Sequence, residues 1–302
     1  MDETWYIIFN PTSGGGKSKN VLHDIIALFK QYKLKATTIS TEYPHHEEVL
    51  VTAAINRGFT QFVCIGGDGT IHHIINGIMK QTYIESNKIK LAVIPTGTGN
   101  DWVKNYKIPL HTEKAVQLIK NNKRLFQDIG RITLLENNRQ IFFNNAAGIG
   151  FDAYVVKNIN RYKKWGSLAY LFTALFSYNS YKNERILVFK DNKKTKTDIF
   201  LITLGICKYS GAGMQLTDFK NHKKSYFDFT LIKSIKLIKV ILNIFKLYNG
   251  RIDQLKEIEC SHVQEFKTMG NTSLYIQADG ELIGHGDIRI SLIPQAIQII
   301  IG

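Results

Sequence analysis

The sequence is short of cysteine, short of acid and without a long apolar run. Its three cysteines, Cys64, Cys207 and Cys260, lie far apart with no CxxC pair. That excludes a disulfide scaffold and a cysteine-rich zinc module, and it fits a reducing cytoplasm. No uninterrupted apolar stretch approaches the roughly 18 residues of a membrane span. The opening MDETWYIIFN is acidic and its apolar run is too short for a signal peptide, so a cytoplasmic protein is expected. No repeat with a period of roughly 20–50 residues is visible, and no low-complexity linker.

What is present is ordinary in bulk and unusual in charge. The chain has 302 residues, 44% hydrophobic and 21% charged, which excludes disorder. At roughly 100–200 residues per domain, about two domains are expected. Lys and Arg number 39 against 25 Asp and Glu, a net charge of +14. A chain this basic usually meets something anionic: a nucleotide, nucleic acid or a lipid headgroup surface. The excess is uneven. Residues 1–125 carry 15 basic against 10 acidic side chains, residues 126–302 carry 24 against 15, and residues 157–196 alone hold 10 against 2.

The first half alternates short apolar runs with helical spacing. Runs at Trp5–Phe9, Ala36–Ile39, Phe62–Ile65 and Leu91–Ile94 read as strands. Helical patterns follow from Val21 to Phe29, from Val49 to Ile55 and from Ile71 to Met79. This predicts an α/β domain, a parallel sheet with helices on both faces, over residues 1–128. Crossover handedness puts its strand-to-helix turns at one sheet edge. The rhythm then becomes strand-rich: Arg131–Leu135, Gln140–Ala147, Arg185–Phe189, Thr197–Gly205, Tyr226–Ile232, Glu257–Phe266, Thr272–Ala278 and Asp287–Ile293. Helical stretches around Ala153–Phe176 and Ser234–Tyr248 interrupt it. A mainly antiparallel β-sandwich domain over 129–294 is expected, with the boundary near Leu125–Gly130.

Three glycine-rich turns end strands of the first half. The first runs Asn10-Pro11-Thr12-Ser13-Gly14-Gly15-Gly16-Lys17-Ser18. Its Gly-Lys-Ser tail is not a P-loop, because Pro11 stands where that motif needs glycine. Successive glycines still let N–H groups turn toward an anion beside a helix N-terminus, with Lys17 as a point charge. A plain strand-to-helix turn explains the same residues equally well. The second turn is Gly66-Gly67-Asp68-Gly69-Thr70. A carboxylate in a glycine nest repels bare phosphate, a conflict that Mg²⁺ resolves if Asp68 reaches it directly or through water. An Asp helix cap is the plainer alternative. The third is Pro95-Thr96-Gly97-Thr98-Gly99-Asn100-Asp101-Trp102, with hydroxyls for phosphate and Asp101 as a second carboxylate. Three such turns at one sheet edge point to one site rather than three coincidences.

NPTSGGGK at 10–17, GGDGT at 66–70 and PTGTGND at 95–101 resemble the catalytic domain of diacylglycerol kinases, in particular the soluble, YegS-like bacterial lipid kinases. GGDGT alone is shared with NAD kinases and 6-phosphofructokinases; the order and spacing of all three are specific. QDIG at 127–130, GIGFDA at 148–153, SGAGM at 210–214 and ADGE at 278–281 extend the likeness over nearly the whole chain. The resemblance implies ATP with Mg²⁺ in a cleft between domains and a lipid hydroxyl as acceptor, diacylglycerol first. It implies nucleotide contacts from Asn10, Pro11, Thr12, Ser13, Gly14, Thr41, Gly66, Gly67, Asp68, Gly69, Thr70 and Thr98. It implies Glu281 as general base and Asp128 in the metal network, with Asp68 and Asp101 as further catalytic carboxylates. The last strand, within 295–302, would return to complete the first domain. Read by itself, Gln277-Ala278-Asp279-Gly280-Glu281-Leu282 is good hairpin chemistry, and turn and base can both hold.

Two departures from the family pattern stand out. His72-His73 replaces the usual Asn-Glu, and neighbours on a helix point about 100° apart, so they are not a chelating pair. At 217–228, TDFKNHKKSYFD lacks the usual Asp-Gly turn, which puts a structural metal in doubt and leaves Asp218 as a lone candidate.

Arg161-Tyr162-Lys163-Lys164-Trp165, leading into an apolar run to Phe176, suits a peripheral visit to the anionic inner face of a membrane, and equally a packed helix. Lys236, Lys239 and Lys246 line one stripe of the apolar 235–248 segment, which reads rather as a core helix with snorkelling lysines. The alternatives to a lipid kinase are an NAD kinase-like enzyme and a catalytically silent basic protein on membranes or nucleic acid. No RNA-binding aromatic signature or recognition helix is apparent, so nucleic acid is not an expected partner.

Overall fold

A computed structural model describes residues 4–159, 169–217, 225–270 and 273–302. The Arg161–Trp165 cluster, Asp218 and most of the 217–228 departure lie outside the described residues. The chain divides into two compact units, Met1–Asp128 with Pro294–Gly302, and Ile129–Ile293.

The first unit runs β1 (Trp5–Phe9), α1 (Lys17–Gln31), β2 (Ala36–Ser40), α2 (His46–Asn56), β3 (Gln61–Gly66), α3 (Asp68–Lys80), β4 (Lys90–Pro95), α4 (Asp101–Asn105) and α5 (Thr112–Asn121). The strands pair in parallel in the order β2-β1-β3-β4. Period-2 alternation along β1 sends Trp5 and Ile7 to one face, where they pack with Ile25 and Phe29 of α1 and Val116 and Ile119 of α5. Tyr6 and Ile8 point to the other face, and Tyr6 meets Phe59 and Phe62 there. In α3 the buried Ile71, Ile74, Ile75 and Ile78 fall at helical spacing, so one face of the helix is apolar. Gly77 has no side chain for a reason of space: a Cβ would stand 2.9 Å from Val51 Cβ and 3.0 Å from Glu48 Cα. Thus α2 and α3 cross almost backbone to backbone. Helix α5 has no counterpart in the sequence reading.

Strand β5 (Arg124–Leu134) leads into the second unit. There follow β6 (Gln140–Phe143), β7 (Ala146–Gly150), α6 (Phe151–Asn158), α7 (Ala169–Ser177), β8 (Glu184–Lys190), β9 (Lys193–Ile199), β10 (Leu201–Gly205), β11 (Phe227–Ile232), α8 (Leu237–Leu242), α9 (Ile244–Asn249), β12 (Ile258–Val263), β13 (Glu265–Met269), β14 (Tyr275–Ala278), β15 (Glu281–His285) and β16 (Ile288–Ile300). One sheet has the order β12-β11-β10-β7-β14-β15, and β13, β8 and β9 form part of the other with the first half of β16. These strand pairs are antiparallel. Ile149, Leu204, Phe227 and Phe229 from the first sheet share a core with Ile186, Val188, Phe266 and Ile290 from the second, so the unit is a sandwich.

Three runs read as single strands are each two. Gln140–Ala147, Thr197–Gly205 and Glu257–Phe266 pass from one sheet of the sandwich to the other, at Asn144-Asn145, Phe200 and Gln264. The apolar alternation continues through each corner because both sheets face the same core. After a left-handed Gln295 at φ +49, the end of β16 pairs in parallel with β4, Gln298 opposite Lys90 and Ile299 opposite Leu91, and Ile300 joins the first unit's core.

Candidate active site

The glycine-rich turns after β1, β3 and β4 touch one another. A Cβ on Gly14 would lie 1.9 Å from the Thr96 carbonyl oxygen, and one on Gly97 would lie 2.6 Å from Gly67 Cα. No side chain larger than hydrogen fits these contacts. The Thr96 hydroxyl donates to the Ser13 hydroxyl at 3.3 Å. Gly14, Gly15 and Gly16 are all left-handed, at φ +60, +69 and +92, and they feed the N-terminus of α1. That first turn carries no acid and begins with Lys17, so its exposed N–H groups and positive dipole end favour an anion.

Asn10 organises the first turn. Its Oδ1 accepts the N–H and hydroxyl of Thr12 at 3.0 and 2.8 Å, and its carbonyl accepts the Ser18 hydroxyl at 2.5 Å. Its Nδ2 donates to Thr70 Oγ1 and to Glu47 Oε1, both at 3.4 Å. Thr41 is buried beside this group, its N–H donated to the Phe9 carbonyl at 3.0 Å. Pro11 is half-buried at the turn, and Thr12 and Thr98 are exposed. Glu47 is a buried carboxylate that is not among the residues singled out from the sequence, where the helical spacing of this segment runs from Val49 to Ile55. The available signal was an acid-rich pair following Thr41 at a helix N-terminus.

Asp68 is neither a cap for its own helix nor an open carboxylate. Its Oδ2 accepts the N–H of Asp101 at 3.1 Å and its Oδ1 that of Trp102 at 3.3 Å, so it caps α4 across space. The cap exists, but it ties the second turn to the third. Gly69, in the same turn, is half-buried. Asp101 is itself buried, with Lys104 Nζ 3.2 Å from its Oδ1. The Trp102 indole donates to Gln127 Oε1 at 3.1 Å. Next to it, Asp128 Oδ1 accepts the N–H of Gln295 at 2.7 Å, which fastens the left-handed bend of β16. Asp128 therefore has a structural task in addition to the metal-network role the resemblance implies.

Nearby electrostatics are marked. Burial pushes the Cys64 thiol of β3 well up, and the charges of Glu47 and Asp68 push it the same way. Burial also works to raise the Glu48 carboxyl, but hydrogen bonds from His73 and Lys80 outweigh it and hold it at about 2.

Glu281 belongs to the second unit. It is half-buried at the start of β15, and its carboxylate has no hydrogen bond or ion pair among the described residues. The turn before it is stiff. Asp279 and Gly280 are left-handed, at φ +52 and +86. The Asp279 carboxylate accepts the N–H groups of Asn144, Asn145 and Ala146 at 3.1, 2.9 and 3.1 Å. Gly280 donates to Gln277 Oε1 at 2.8 Å, and Gln277 Nε2 donates to the buried Asp152 at 2.7 Å. Hairpin and free carboxylate coexist here.

The second unit also holds an apolar cavity of about 100 Å³, lined by Leu171, Leu175, Phe200, Met214, Leu216 and Leu247 among others. No residue of α8 or α9 is fully buried, yet Ile235 belongs to a buried cluster that Val240 packs against, and Leu237, Val240 and Leu247 line the cavity, so the reading of 235–248 as a core helix holds for one side of the segment and fails for the other. Leu242 and Phe245 are 72% and 79% exposed, and Ile238 and Ile241 are also exposed. No helix among the described residues is long and apolar enough to cross a membrane.

Residues 4–132 match the family described as the diacylglycerol kinase catalytic domain, and residues 145–301 match that described as the YegS C-terminal NAD kinase beta sandwich-like domain. A protein of Mycobacterium tuberculosis (strain ATCC 25618 / H37Rv) named diacylglycerol kinase is 25% identical over 298 residues, 96% of this chain and 93% of that one. A diacylglycerol kinase of Staphylococcus haemolyticus (strain JCSC1435) is 23% identical over 279 residues, 92% of this chain and 82% of its own. The crystal structure of a diacylglycerol kinase from Bacillus anthracis str. Sterne superposes with a TM-score of 0.74 at 18% identity, over 99% of this chain and 97% of that one, a likeness of fold.

Proposed function

The chain belongs to the diacylglycerol kinase catalytic-domain family and is a phosphotransferase with an alcohol acceptor, and from that premise we propose that it transfers the γ-phosphoryl group of ATP, taken as its Mg²⁺ complex, to a lipid hydroxyl, diacylglycerol being the first candidate. The observation that carries this reading is the meeting of the three turns, with Gly14 against Thr96 and Gly67 against Gly97. Bare backbone at these contacts leaves a surface of N–H groups and hydroxyls, the lining that phosphates need.

In this reading Asn10, Pro11, Thr12, Ser13 and Gly14 form the phosphate cradle with Gly66, Gly67, Gly69, Thr70 and Thr98. Thr41 adds a nucleotide contact from the end of β2. Bound Mg²⁺ supplies charge neutralisation on the β- and γ-phosphates. Both Asp68 oxygens already accept N–H groups and Asp101 is paired with Lys104, so the donor set fits a phosphate-borne ion held through water. Asp68 also positions the third turn by capping α4. Glu281 is the general base: its free carboxylate, on a turn fixed by Asp279 and Gln277, accepts the lipid hydroxyl's proton as the phosphoryl group departs from ADP. Asp128 keeps its task at β16 and joins the metal network.

The acceptor is reached at the inner face of an anionic membrane. Ile238, Ile241, Leu242 and Phe245 of α8 and α9 stand in solvent with Lys236 and Lys246 alongside, which suits an interfacial helix pair at about 1 kcal/mol per well-placed cation. The apolar cavity of the same unit has room for a short segment of an acyl chain.

The test is transfer of label from γ-labelled ATP with Mg²⁺ into a total lipid extract resolved by headgroup, beside Asp68→Ala. One labelled lipid, absent with the variant, bears the reading out and names the acceptor. Label entering NAD, or ATP binding without any lipid product, sinks it.

A further inference from the structure

Among the described residues, one cluster of metal-ligating side chains lies outside the nucleotide turns. His45 ends the loop before α2, Glu48 sits in the first turn of α2, and His73 sits in α3 one turn before Gly77. The close crossing at Gly77 brings Glu48 to α3. His45 Nδ1 lies 3.2 Å from His73 Nδ1, and His73 Nδ1 lies 3.2 Å from Glu48 Oε1. The ligand atoms of all three fall within 4.8 Å of one another.

A hydrogen bond accounts poorly for both short contacts. His73 Nδ1 carries either one proton or one lone pair. A proton aimed at Glu48 leaves His45 facing the side of the same N–H, and a lone pair faces a carboxylate oxygen that repels it. A cation has no such direction and satisfies all three atoms together. The spacing agrees: with zinc–ligand bonds of about 2.0–2.1 Å, neighbours on a tetrahedron stand about 3.3 Å apart.

We propose that His45, Glu48 and His73 bind one divalent transition-metal ion, zinc first, with a fourth position open to water. Two imidazoles and a carboxylate suit zinc and exclude hard cations such as Mg²⁺ as the preferred guest. The supporting shell is present. Lys80 Nζ holds Glu48 Oε2 at 2.8 Å, which turns Oε1 toward the histidines. Its charge opposes a dication, so the affinity falls below that of a closed four-ligand site. His45 keeps a left-handed backbone, φ +66, which non-glycine residues adopt rarely. The neighbouring histidines are engaged elsewhere. His46 accepts the N–H of Glu42 at 3.2 Å and stacks on Tyr43, and buried His72 lies 3.2 Å from Asn76 Nδ2. The His72-His73 pair does not chelate; His73 finds its partners on another element. The ion would pin α2 to α3, the two helices whose first turns carry Glu47 and Thr70 to Asn10.

The test uses the full chain, stripped with a chelator and titrated with zinc alone. Wild type is expected to take up one equivalent more than His45→Asn/His73→Asn, and to melt at a higher temperature when zinc is added. Cobalt in place of zinc should give ligand-field absorption in wild type only. His45→Asn alone keeps the fold, since Asn accepts a left-handed backbone at an exposed turn. It should weaken zinc by at least about tenfold. Equal zinc uptake and affinity in wild type and His45→Asn, or no uptake by wild type, overturns the proposal.

Discussion

The carbonyl oxygen of Thr96 occupies the space that a side chain on Gly14 would need, 1.9 Å from the Cβ position. Gly14→Ala must therefore separate the first turn from the third, and it also forces a non-glycine residue to φ +60. Phosphoryl transfer and ATP affinity are expected to fall at least about tenfold, by analogy with the roughly 1.4 kcal/mol that a displaced contact readily costs. Gly15→Ala is the control, because nothing lies within 4 Å of its Cβ position. It meets only the left-handed backbone cost, about 1–2 kcal/mol of stability. Binding titrations of ATP and thermal melts on the two variants separate loop collision from backbone strain. Equal ATP affinity in both would remove the cradle from this turn.

Asp68 does two jobs in the proposed mechanism, and two variants split them. Asp68→Ala leaves the N–H groups of Asp101 and Trp102 without their acceptor, a cost of about 1–3 kcal/mol. It should abolish transfer, lower the melting temperature and alter the fluorescence of buried Trp102. Asp68→Asn retains one acceptor oxygen and removes the charge. It is expected to keep more stability than Asp68→Ala and still lose transfer. Full activity in either variant contradicts a role for this carboxylate at the phosphates.

The contrast between these residues also marks what was legible beforehand. The three turns could be read because each is contiguous and glycine-rich at the end of an apolar run, and the parallel sheet brings such ends to one edge. The partner of Asp68 could not, because Trp102 lies 34 residues away and no local pattern pairs a carboxylate with a distant helix start. Glu47 was missed because the apolar spacing of α2 begins after its polar first turn. His45 and His73 stand 28 residues apart on different elements, so no local spacing pairs them. In the second unit the alternation persisted through the sandwich corners, and the strand breaks at Asn144-Asn145 and Phe200 were hidden by it. Exposure of one apolar side of α8 and α9 was illegible for a related reason: an apolar stripe is the same in sequence whether it faces a core or a membrane.

Glu281 and Asp279 sit two residues apart and should fail differently. The Glu281 carboxylate makes no bond among the described residues, so Glu281→Gln is expected to leave the melting temperature and ATP affinity unchanged. As a lost general base it should lower kcat by about 10²–10⁴. Asp279→Ala strips an acceptor from three backbone N–H groups and is expected to destabilise the fold by at least about 1–3 kcal/mol. Rate measurements beside thermal melts test the pair. A Glu281→Gln enzyme with wild-type kcat assigns the proton to another acceptor.

The membrane prediction turns on Leu242 and Phe245. Side chains this exposed gain nothing from the fold, so replacing both with Glu should leave the thermal melt within about 0.5 kcal/mol of wild type. At an interface the same change loses apolar burial and adds two charges that an anionic leaflet repels. Co-sedimentation with anionic vesicles is expected to fall at least about tenfold, and activity on lipid presented in those vesicles to fall with it. Activity on a short-chain acceptor dissolved in water should stay at the wild-type level, because the phosphate turns are untouched. Raising salt should weaken wild-type vesicle binding, through the charges of Lys236 and Lys246, without abolishing it, since the apolar contribution is not screened. If the double variant binds vesicles as wild type does, α8 and α9 are not the docking surface, and the lipid must enter by another face of the second unit.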